Sequence, residues 1–315
     1  MKLANRKIVW LILCLVFFSS QIFAQTALPV RYEEHRFFVE PVTTSGQKLL
    51  FFTDSGGGLF IYKDAAEKLA SVKTGKDGNE PIDFPAFKTG FSIPVPLGSD
   101  GKLYVLDRTP NAPNLGDSQG MLGQAWFGGR IWTFDYPGKK LILWDKSPEI
   151  FKKKSSKPVT FGFKTDENNK RALNFPRIQV EIDGEVFELL FDTGATTFLT
   201  KEVLEALKDG GKEERATSFI TNTTFEKWRK KHPEWRVIEK AEKTTGEAMI
   251  EVPEIKIAGY TVGPVWFTRR ADKNFHEFMS KFMDKQVEGA IGGNALRHFR
   301  ITVDYPQARA IFEKK

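Results

Sequence analysis

The sequence has very little cysteine: one residue, Cys14, among 315. Cys14 lies inside the apolar run 8–18 near the amino terminus, and Leu13 before it is too bulky for a lipoprotein cleavage site. A chain cleaved after this run would keep no cysteine at all. That excludes disulfides, thiol catalysis and thiolate metal ligands, so stability would have to come from the hydrophobic core.

Histidine is also scarce. The sequence has four: His35, His232, His276 and His298. None of them forms a short ligand spacing such as His-x-x-x-His, which disfavours a metallopeptidase. No glycine-rich loop is followed by the Lys-Ser/Thr of a phosphate site, which disfavours a nucleotide-dependent enzyme. We therefore predict no metal and no cofactor.

The charge is only modestly unbalanced. Lys and Arg number 47 and Asp and Glu number 40, an excess of 7 that falls to 4 if Lys2, Arg6 and Lys7 are removed with the amino-terminal segment. A surplus of this size is typical of a solvated surface, and the lone basic triplet at 152–154 is typical of an exposed linker. We predict no nucleic-acid partner.

The amino terminus has the layout of a secretory signal peptide. Basic residues precede the apolar run 8–18, and small and polar residues follow it as far as Ala24. The run is shorter than the roughly 20 residues that span a membrane. We predict a signal peptide at 1–24, a periplasmic or secreted mature protein starting near Gln25, and no stable membrane insertion after cleavage. Because Ile22 is an imperfect cleavage-site residue, an uncleaved anchor is the alternative.

The rest of the sequence repeats itself. Gly46 is followed by an apolar run and, eight positions on, by Asp54-Ser55-Gly56. Gly184 is likewise followed by an apolar run and, eight positions on, by Asp192-Thr193-Gly194. The identical spacing indicates a duplication.

Each half also has a second block further along. Gly120-Met121-Leu122-Gly123 and Gly289-Ala290-Ile291-Gly292 each reach an Asp-Tyr-Pro fifteen residues after their first glycine, at 135–137 and 304–306. The sequence therefore predicts an N-terminal lobe at 25–150 and a C-terminal lobe at 158–315. The segment 151–157, rich in Lys and Ser, would be the linker.

Both halves have the pattern of β-structure. Short runs rich in Val, Ile, Phe and Tyr, such as 177–182 and 251–257, are separated by Gly, Pro and Asp. We expect helices at 64–70, at 201–208 and in part of 223–243, a segment that resembles an insertion peculiar to lobe two and whose tryptophans should pack. The predicted fold class is mainly β, with two homologous β-barrel-like lobes and few short helices.

The repeated triplets indicate a chemistry. An apolar strand would carry each aspartate to the floor of a cleft, where loss of solvent perturbs its pKa. The glycine would let the chain turn sharply, and the Ser or Thr hydroxyl could bond the backbone of the other lobe. Two carboxyls held together would share one proton, so that one activates a water while the other polarises a carbonyl. The predicted catalytic pair is Asp54 and Asp192, and the predicted supporting residues are Ser55, Gly56, Thr193, Gly194, Ala195, Gly123 and Gly292.

The second lobe resembles a known family. The stretch 189–196 is similar to the active-site motif of retropepsin-type aspartic peptidases, and 257–259, 289–292 and 301–305 are similar to the rest of a bacterial retropepsin-like domain. The first lobe shares the resemblance more weakly. The resemblance implies a pepsin-like acid-protease arrangement, in which two lobes of one chain replace the viral homodimer and a peptide or protein is the substrate.

Lobe one departs from the family pattern. Thr53 stands where a second apolar residue usually precedes the aspartate, and Gly56-Gly57-Gly58 replaces the usual small residue and hydroxyl. The hydroxyl that pepsin-like enzymes place after the glycine is missing at both Gly57 and Ala195, which predicts activity closer to neutral pH. A catalytically inactive secreted protein that binds peptides with the same fold is the main alternative.

Two further segments have competing interpretations. The stretch 83–106, with Phe87, Phe91 and Tyr104, lies where a flap over the substrate is expected, although packing roles fit these aromatics equally well. The segment 116–120 matches the Gly-x-Ser-x-Gly motif of serine hydrolases, but that motif needs a preceding strand and the residues before it do not predict one. A serine hydrolase is disfavoured.

Overall fold

The computed structural model describes residues 25–69, 80–109 and 113–315. The predicted signal peptide at 1–24 lies outside the described residues, as does Ala70 at the end of one predicted helix. The described chain forms β-sheets of seven, nine, six and two strands, with short helices between strands. The predicted mainly β, two-lobed fold is confirmed.

In the described parts of lobe one, 25–69, 80–109 and 113–150, there are ten strands and two short helices. The strands are β1 (Gln25–Ala27), β2 (Val30–Glu33), β3 (Arg36–Val39), β4 (Phe51–Thr53), β5 (Leu59–Tyr62), β6 (Ile82–Asp83), β7 (Lys102–Leu106), β8 (Gly120–Leu122), β9 (Ile131–Asp135) and β10 (Lys140–Trp144). The helices are α1 (Lys63–Ala66) and α2 (Gln124–Phe127). A 3-10 turn at Glu149–Phe151 precedes the exposed segment that leads to lobe two.

Lobe two begins with β11 (Val159–Thr160). Its other strands are β12 (Arg177–Ile182), β13 (Glu185–Phe191), β14 (Thr196–Phe198), β15 (Glu214–Ala216), β16 (Ser218–Thr221), β17 (Val237–Ile238), β18 (Met249–Val252), β19 (Ile255–Ile257), β20 (Tyr260–Val262), β21 (Val265–Arg270), β22 (Gly289–Ile291), β23 (Phe299–Asp304) and β24 (Arg309–Lys314). Its α-helices are α3 (Lys201–Leu207), α4 (Asn222–Lys231) and α5 (Gly293–Leu296). A π-helical turn at Asn274–Phe278 runs into a 3-10 turn at Met279–Phe282.

The two lobes share one strand arrangement. Lobe one has the order β3-β4-β8-β5-β7-β6, and lobe two has the order β12-β13-β22-β16-β21-β18. In both, the successive pairs are antiparallel, parallel, antiparallel, parallel and antiparallel. The repeat in the sequence is therefore a repeat in topology, and each aspartate directly follows the equivalent strand, β4 or β13.

A six-stranded antiparallel sheet, β1-β10-β9-β23-β24-β11, joins the lobes. At its centre Thr133 is paired with Thr302, and their hydroxyl oxygens lie 2.8 Å apart. The two threonines are 169 positions apart, as are Asp135 and Asp304 of the repeated Asp-Tyr-Pro. Equivalent residues thus face each other, which places the pseudo-two-fold axis between the two threonines.

An aromatic core lies beside this sheet. Phe134 of β9 contacts Phe37 of lobe one at 6.2 Å between ring centroids and Phe191 of lobe two at 6.0 Å. All three rings are fully buried. Phe191 directly precedes Asp192, so packing between the lobes fixes the end of the strand that carries the carboxylate.

Lobe two differs from lobe one in its insertions. Helix α4 follows β16 as α1 follows β5, so the helical part of the predicted insertion 223–243 is a longer form of a shared element. Its Trp228 is 1% exposed and packs between Phe187 and Phe267, which confirms the predicted packing role. The larger addition is β14-α3-β15. Because of it, β16 starts 26 residues after Asp192, whereas β5 starts five residues after Asp54.

No helix in the described ranges has both the length and the apolar character needed to cross a membrane.

Candidate active site

Asp54 and Asp192 meet at the junction of the lobes, where both line one pocket and each carboxyl lies against the glycine of the other aspartate's triplet. Each is positioned by the same backbone contact with the neighbouring parallel strand. The Asp54 N–H donates to the carbonyl of Leu122 at 3.1 Å, and the Asp192 N–H donates to that of Ile291 at 3.0 Å. The duplicated parallel strand pair therefore delivers both carboxyls to one point.

The residues after the aspartates tie the two loops together. The Ser55 hydroxyl donates to the carbonyl of Phe191 at 2.6 Å and accepts from the Thr193 N–H at 3.0 Å. The Ser55 N–H donates to the Thr193 hydroxyl at 3.1 Å. Both side chains are fully buried, so these polar groups depend on one another for hydrogen bonds.

The glycines of the two triplets have a different role from the one expected. Neither Gly56 nor Gly194 has a positive φ, so a sharp turn that only glycine can make is not the reason for glycine here. A Cβ on Gly194 would lie 2.7 Å from Asp54 Oδ1, and one on Gly56 would lie 2.9 Å from Asp192 Cγ. Each glycine thus makes room for the carboxyl of the opposite lobe.

Gly123 and Gly292 bring backbones together below these loops. A Cβ on Gly123 would collide with the carbonyl oxygens of Gly57 and Gly58, and one on Gly292 would collide with that of Thr217 and would lie 2.9 Å from Ala195 Cβ. These two predicted supporting residues therefore lie directly against the loops that follow the aspartates.

The two carboxyls have unequal environments. Burial raises the pKa of Asp54, and its hydrogen bond with Asp192 offsets part of that rise. Burial, reinforced by the charge of Asp54, raises the pKa of Asp192 well above its usual range. Each accepts a hydrogen bond from a backbone N–H, Gly56 at 2.8 Å and Gly194 at 3.0 Å. The pair therefore holds one proton and titrates as a unit.

Thr53, which departs from the family pattern, has a hydrogen-bond partner for its buried hydroxyl. It is fully buried, and its hydroxyl donates to the carbonyl of Phe37 at 2.8 Å. The polar residue is thus paired within lobe one and leaves the position of Asp54 equivalent to that of Asp192.

A pocket of about 250 Å³ opens above the pair. Its apolar lining is Phe38, Phe52, Leu115, Met121, Phe198 and Phe219. Arg36 and Glu214 also line it, and they form an ion pair across the lobes. A larger cavity of about 900 Å³ near Phe163 contains neither aspartate, so chemistry and not size identifies the candidate site.

The stretch expected to act as a flap lies elsewhere. Within the described residues, no part of 83–106 lines the pocket above the aspartates. Phe87 packs partly buried against the main core, while Phe91 and Tyr104 are 51% and 59% exposed. The segment is instead attached to helix α2 by Trp126, whose Nε1–H donates to the carbonyl of Pro94 at 2.7 Å.

The residues that border the pocket opposite the strands were not found from the sequence. They come from the loop before β8, at Asn114 and Leu115, and from the β14-β15 hairpin, at Phe198 and Glu214. Leu115 is 8% exposed and packs with the aromatics of lobe one. These segments are not part of the repeated sequence pattern. The comparison of the two halves, which identified the aspartates, therefore could not identify these pocket residues.

The serine of the Gly-x-Ser-x-Gly segment is unsuited to nucleophilic attack. Ser118 is fully buried, and the described residues before it form no strand. Across 25–69, 80–109 and 113–315, no three His, Cys, Asp or Glu side chains cluster as metal ligands would. A metal-free reaction stays a prediction.

The chain is similar to known proteins in structure, and not in sequence. No protein-family model matches the chain, and no curated protein matches it. The crystal structure of the aspartic proteinase from Irpex lacteus is similar over 93% of this chain and 98% of that one, with a TM-score of 0.53 and 11% sequence identity. At that identity the likeness shows the fold alone, which is the bilobal β fold of pepsin-like aspartic proteinases.

Proposed function

We propose that this chain is an aspartic endopeptidase in which Asp54 and Asp192 activate water for peptide-bond hydrolysis. The observation that carries the proposal is the pair of buried carboxyls, one from each lobe, that lie side by side in a pocket between the lobes and whose pKa values are both raised. Two buried carboxyls in contact hold one proton more readily than none or two.

The two carboxyls share one proton, so either of them can be the ionised one. When Asp54 is ionised, it takes a proton from the attacking water, and Asp192 donates a hydrogen bond to the substrate carbonyl. As the water adds to the carbonyl carbon, the carbonyl oxygen gains the proton of Asp192. Collapse of this intermediate breaks the C–N bond. One of its two hydroxyl groups returns a proton to Asp192 as the C=O bond reforms, and the leaving amine takes the proton gained by Asp54. The pocket lining favours an apolar side chain next to the scissile bond.

The finer assignment is to a bacterial retropepsin-like enzyme exported through the segment 1–24 to the periplasm or beyond. It rests on the likeness of 189–196 to the retropepsin motif and on the layout of the amino terminus. Strand β1 begins at Gln25 and pairs with β10 in the sheet between the lobes, so the fold uses the residues directly after the proposed cleavage site. Sequencing the exported protein should give a start near Gln25, and a start well beyond Phe37 would contradict this.

The test of activity is incubation of the purified protein with a mixed peptide library from acid to neutral pH, with and without pepstatin. We expect cleavage only without the inhibitor. Asp54→Asn and Asp192→Asn should each remove it, and the double variant should lose little more than either single one, because the pair acts as a unit. Since both pKa values are raised, the singly protonated state, and with it the activity, should extend towards neutral pH.

The inactive peptide-binding protein is the alternative outcome of this test. It would bind library peptides without cleaving them, and Asp54→Asn would leave that binding intact. An optimum confined to strongly acid pH would contradict the expected extension of activity towards neutral pH, and with it the effect ascribed to the missing hydroxyls at 57 and 195, but not the peptidase proposal itself.

A further inference from the structure

Arg36 is an unusual residue for the wall of an apolar pocket. It is 2% exposed, begins β3 and lines the pocket that contains both aspartates. Its Nη1 donates to the carboxylate of Glu214 and, at 3.3 Å, to the hydroxyl of Thr196. Its Nη2 donates to the backbone carbonyl of Glu214 at 3.2 Å. One end of the guanidinium is therefore occupied by the β14-β15 hairpin.

The other edge of the guanidinium is unoccupied. An arginine side chain has five N–H donors, and these contacts use three of them. Nε has no hydrogen-bond partner among the described residues although it is out of contact with solvent. Nε and Nη2 form the side edge of the guanidinium, and this edge of an arginine can bind both oxygens of one carboxylate.

The surroundings favour a carboxylate attached to an apolar group. The guanidinium carbon lies 5.5 Å from the ring centroid of Phe38 and 6.0 Å from that of Phe52, and both rings line the same pocket. The other charged residues in the pocket lining, Asp54, Asp192 and Glu214, are acidic and repel a second anion. Arg36 is therefore the residue of that lining at which a substrate carboxylate meets an opposite charge.

We propose that Arg36 binds a carboxylate of the substrate, so that the protein selects peptides with an acidic group close to the scissile bond and an apolar side chain beside it. The group is either an Asp or Glu side chain or the free carboxyl terminus of the peptide. This inference rests on the proposed function for its place in a peptidase reaction.

The test compares matched peptides on matched proteins. Starting from a peptide that the library experiment shows to be cleaved, each flanking position is changed in turn to Glu or Gln, with the carboxyl terminus either free or amidated. Values of kcat/KM are measured for the wild type and for Arg36→Met, Arg36→Lys and Arg31→Met. Arg31 is a suitable control because its guanidinium carbon also lies near the Phe38 ring, 5.3 Å from the centroid, while Arg31 does not line the pocket.

We expect the wild type to prefer one Glu peptide, or the free acid, by about tenfold to a hundredfold over its neutral counterpart, the usual strength of charge-assisted hydrogen bonds. Arg36→Met should abolish the preference, Arg36→Lys should restore part of it and Arg31→Met should keep it. A preference for a Glu peptide over its Gln counterpart would identify an acidic side chain as the group that Arg36 binds. A preference for the free over the amidated peptide would identify the carboxyl terminus. Equal cleavage of acidic and neutral peptides by the wild type would overturn the inference while leaving the peptidase proposal intact.

Binding separates the two proposals. Calorimetric affinities of the same peptides are measured on Asp192→Asn and on Asp192→Asn with Arg36→Met. Selective binding that needs Arg36, without cleavage by the wild type, would support the inference and contradict the proposed function. Weak, unselective binding by Asp192→Asn would overturn the inference. Thermal melting of each variant shows whether a lost preference comes from unfolding. Glu214→Gln is a second way to break the ion pair, and this variant should still prefer the acidic peptide. If Glu214→Gln lost the preference, the role of Arg36 would be purely structural.

Discussion

Replacing Asp192 by asparagine should stabilise the folded protein at neutral pH. The side chain is 9% exposed, and burial together with the charge of Asp54 raises its pKa well above the usual range. A carboxyl whose pKa is higher in the folded state contributes its full stability below the unfolded pKa, near 4, and that contribution is lost as pH rises through the folded pKa. Asparagine has no proton to lose, and its amide oxygen can still accept from the N–H of Gly194.

The size of the effect follows from the pH. Above about pH 4 the unfolded chain ionises and the folded chain does not, so the cost of the aspartate grows by about 1.4 kcal/mol for each pH unit until the folded pKa is reached. The gain from the substitution should therefore be near zero at pH 4, about 1.4 kcal/mol at pH 5, and at most about 4 kcal/mol at pH 7. For a chain of this size the gain at pH 5 is about 3 °C in Tm.

Thermal melting of the wild type and Asp192→Asn from pH 4 to pH 7 measures this difference. Asp145→Asn, which changes an exposed carboxyl, controls for the loss of one charge. Asp54→Asn should also be more stabilising at neutral than at acid pH, since the pKa of Asp54 is raised too. A difference between wild type and Asp192→Asn that does not change with pH would refute the idea that the buried pair retains a proton.

Two further substitutions test the structure around the pair. Ser55→Ala leaves the buried N–H of Thr193 and the carbonyl of Phe191 without the partner that Ser55 provides. It should therefore lower the free energy of unfolding, measured by urea titration, by about 2–4 kcal/mol. A loss under about 0.5 kcal/mol would mean that other contacts hold the two loops together. Gly194→Ala places a Cβ against the carboxyl of Asp54 and should abolish peptidase activity, whereas Gly58→Ala, whose Cβ would have its nearest neighbour at 3.9 Å, should be tolerated. Equal activity of the two glycine variants would contradict the close packing described here.

The sequence by itself determined the duplication and the fold class. Identical spacings from Gly46 to Asp54 and from Gly184 to Asp192 mark equivalent strand ends, because an apolar strand followed by a turn is a local pattern that any occurrence of the repeat must preserve. The mainly β character follows from the same short-range patterns. The catalytic role of the two aspartates stays a prediction, although the structure brings their carboxyls into contact.

Only the tertiary structure decided what surrounds the aspartates. The glycines of the triplets are required by the carboxyl of the opposite lobe, more than 130 positions away, and not by their own backbone angles. Arg36 and Glu214 are 178 positions apart, and Glu214 belongs to the β14-β15 hairpin, which the described part of lobe one does not have. The stretch 83–106 packs against α2 through Trp126, away from the pocket. Contacts of this kind cannot be predicted from the periodicity of the sequence. They depend on how the two folded lobes pack against each other, and not on the residue pattern within either lobe.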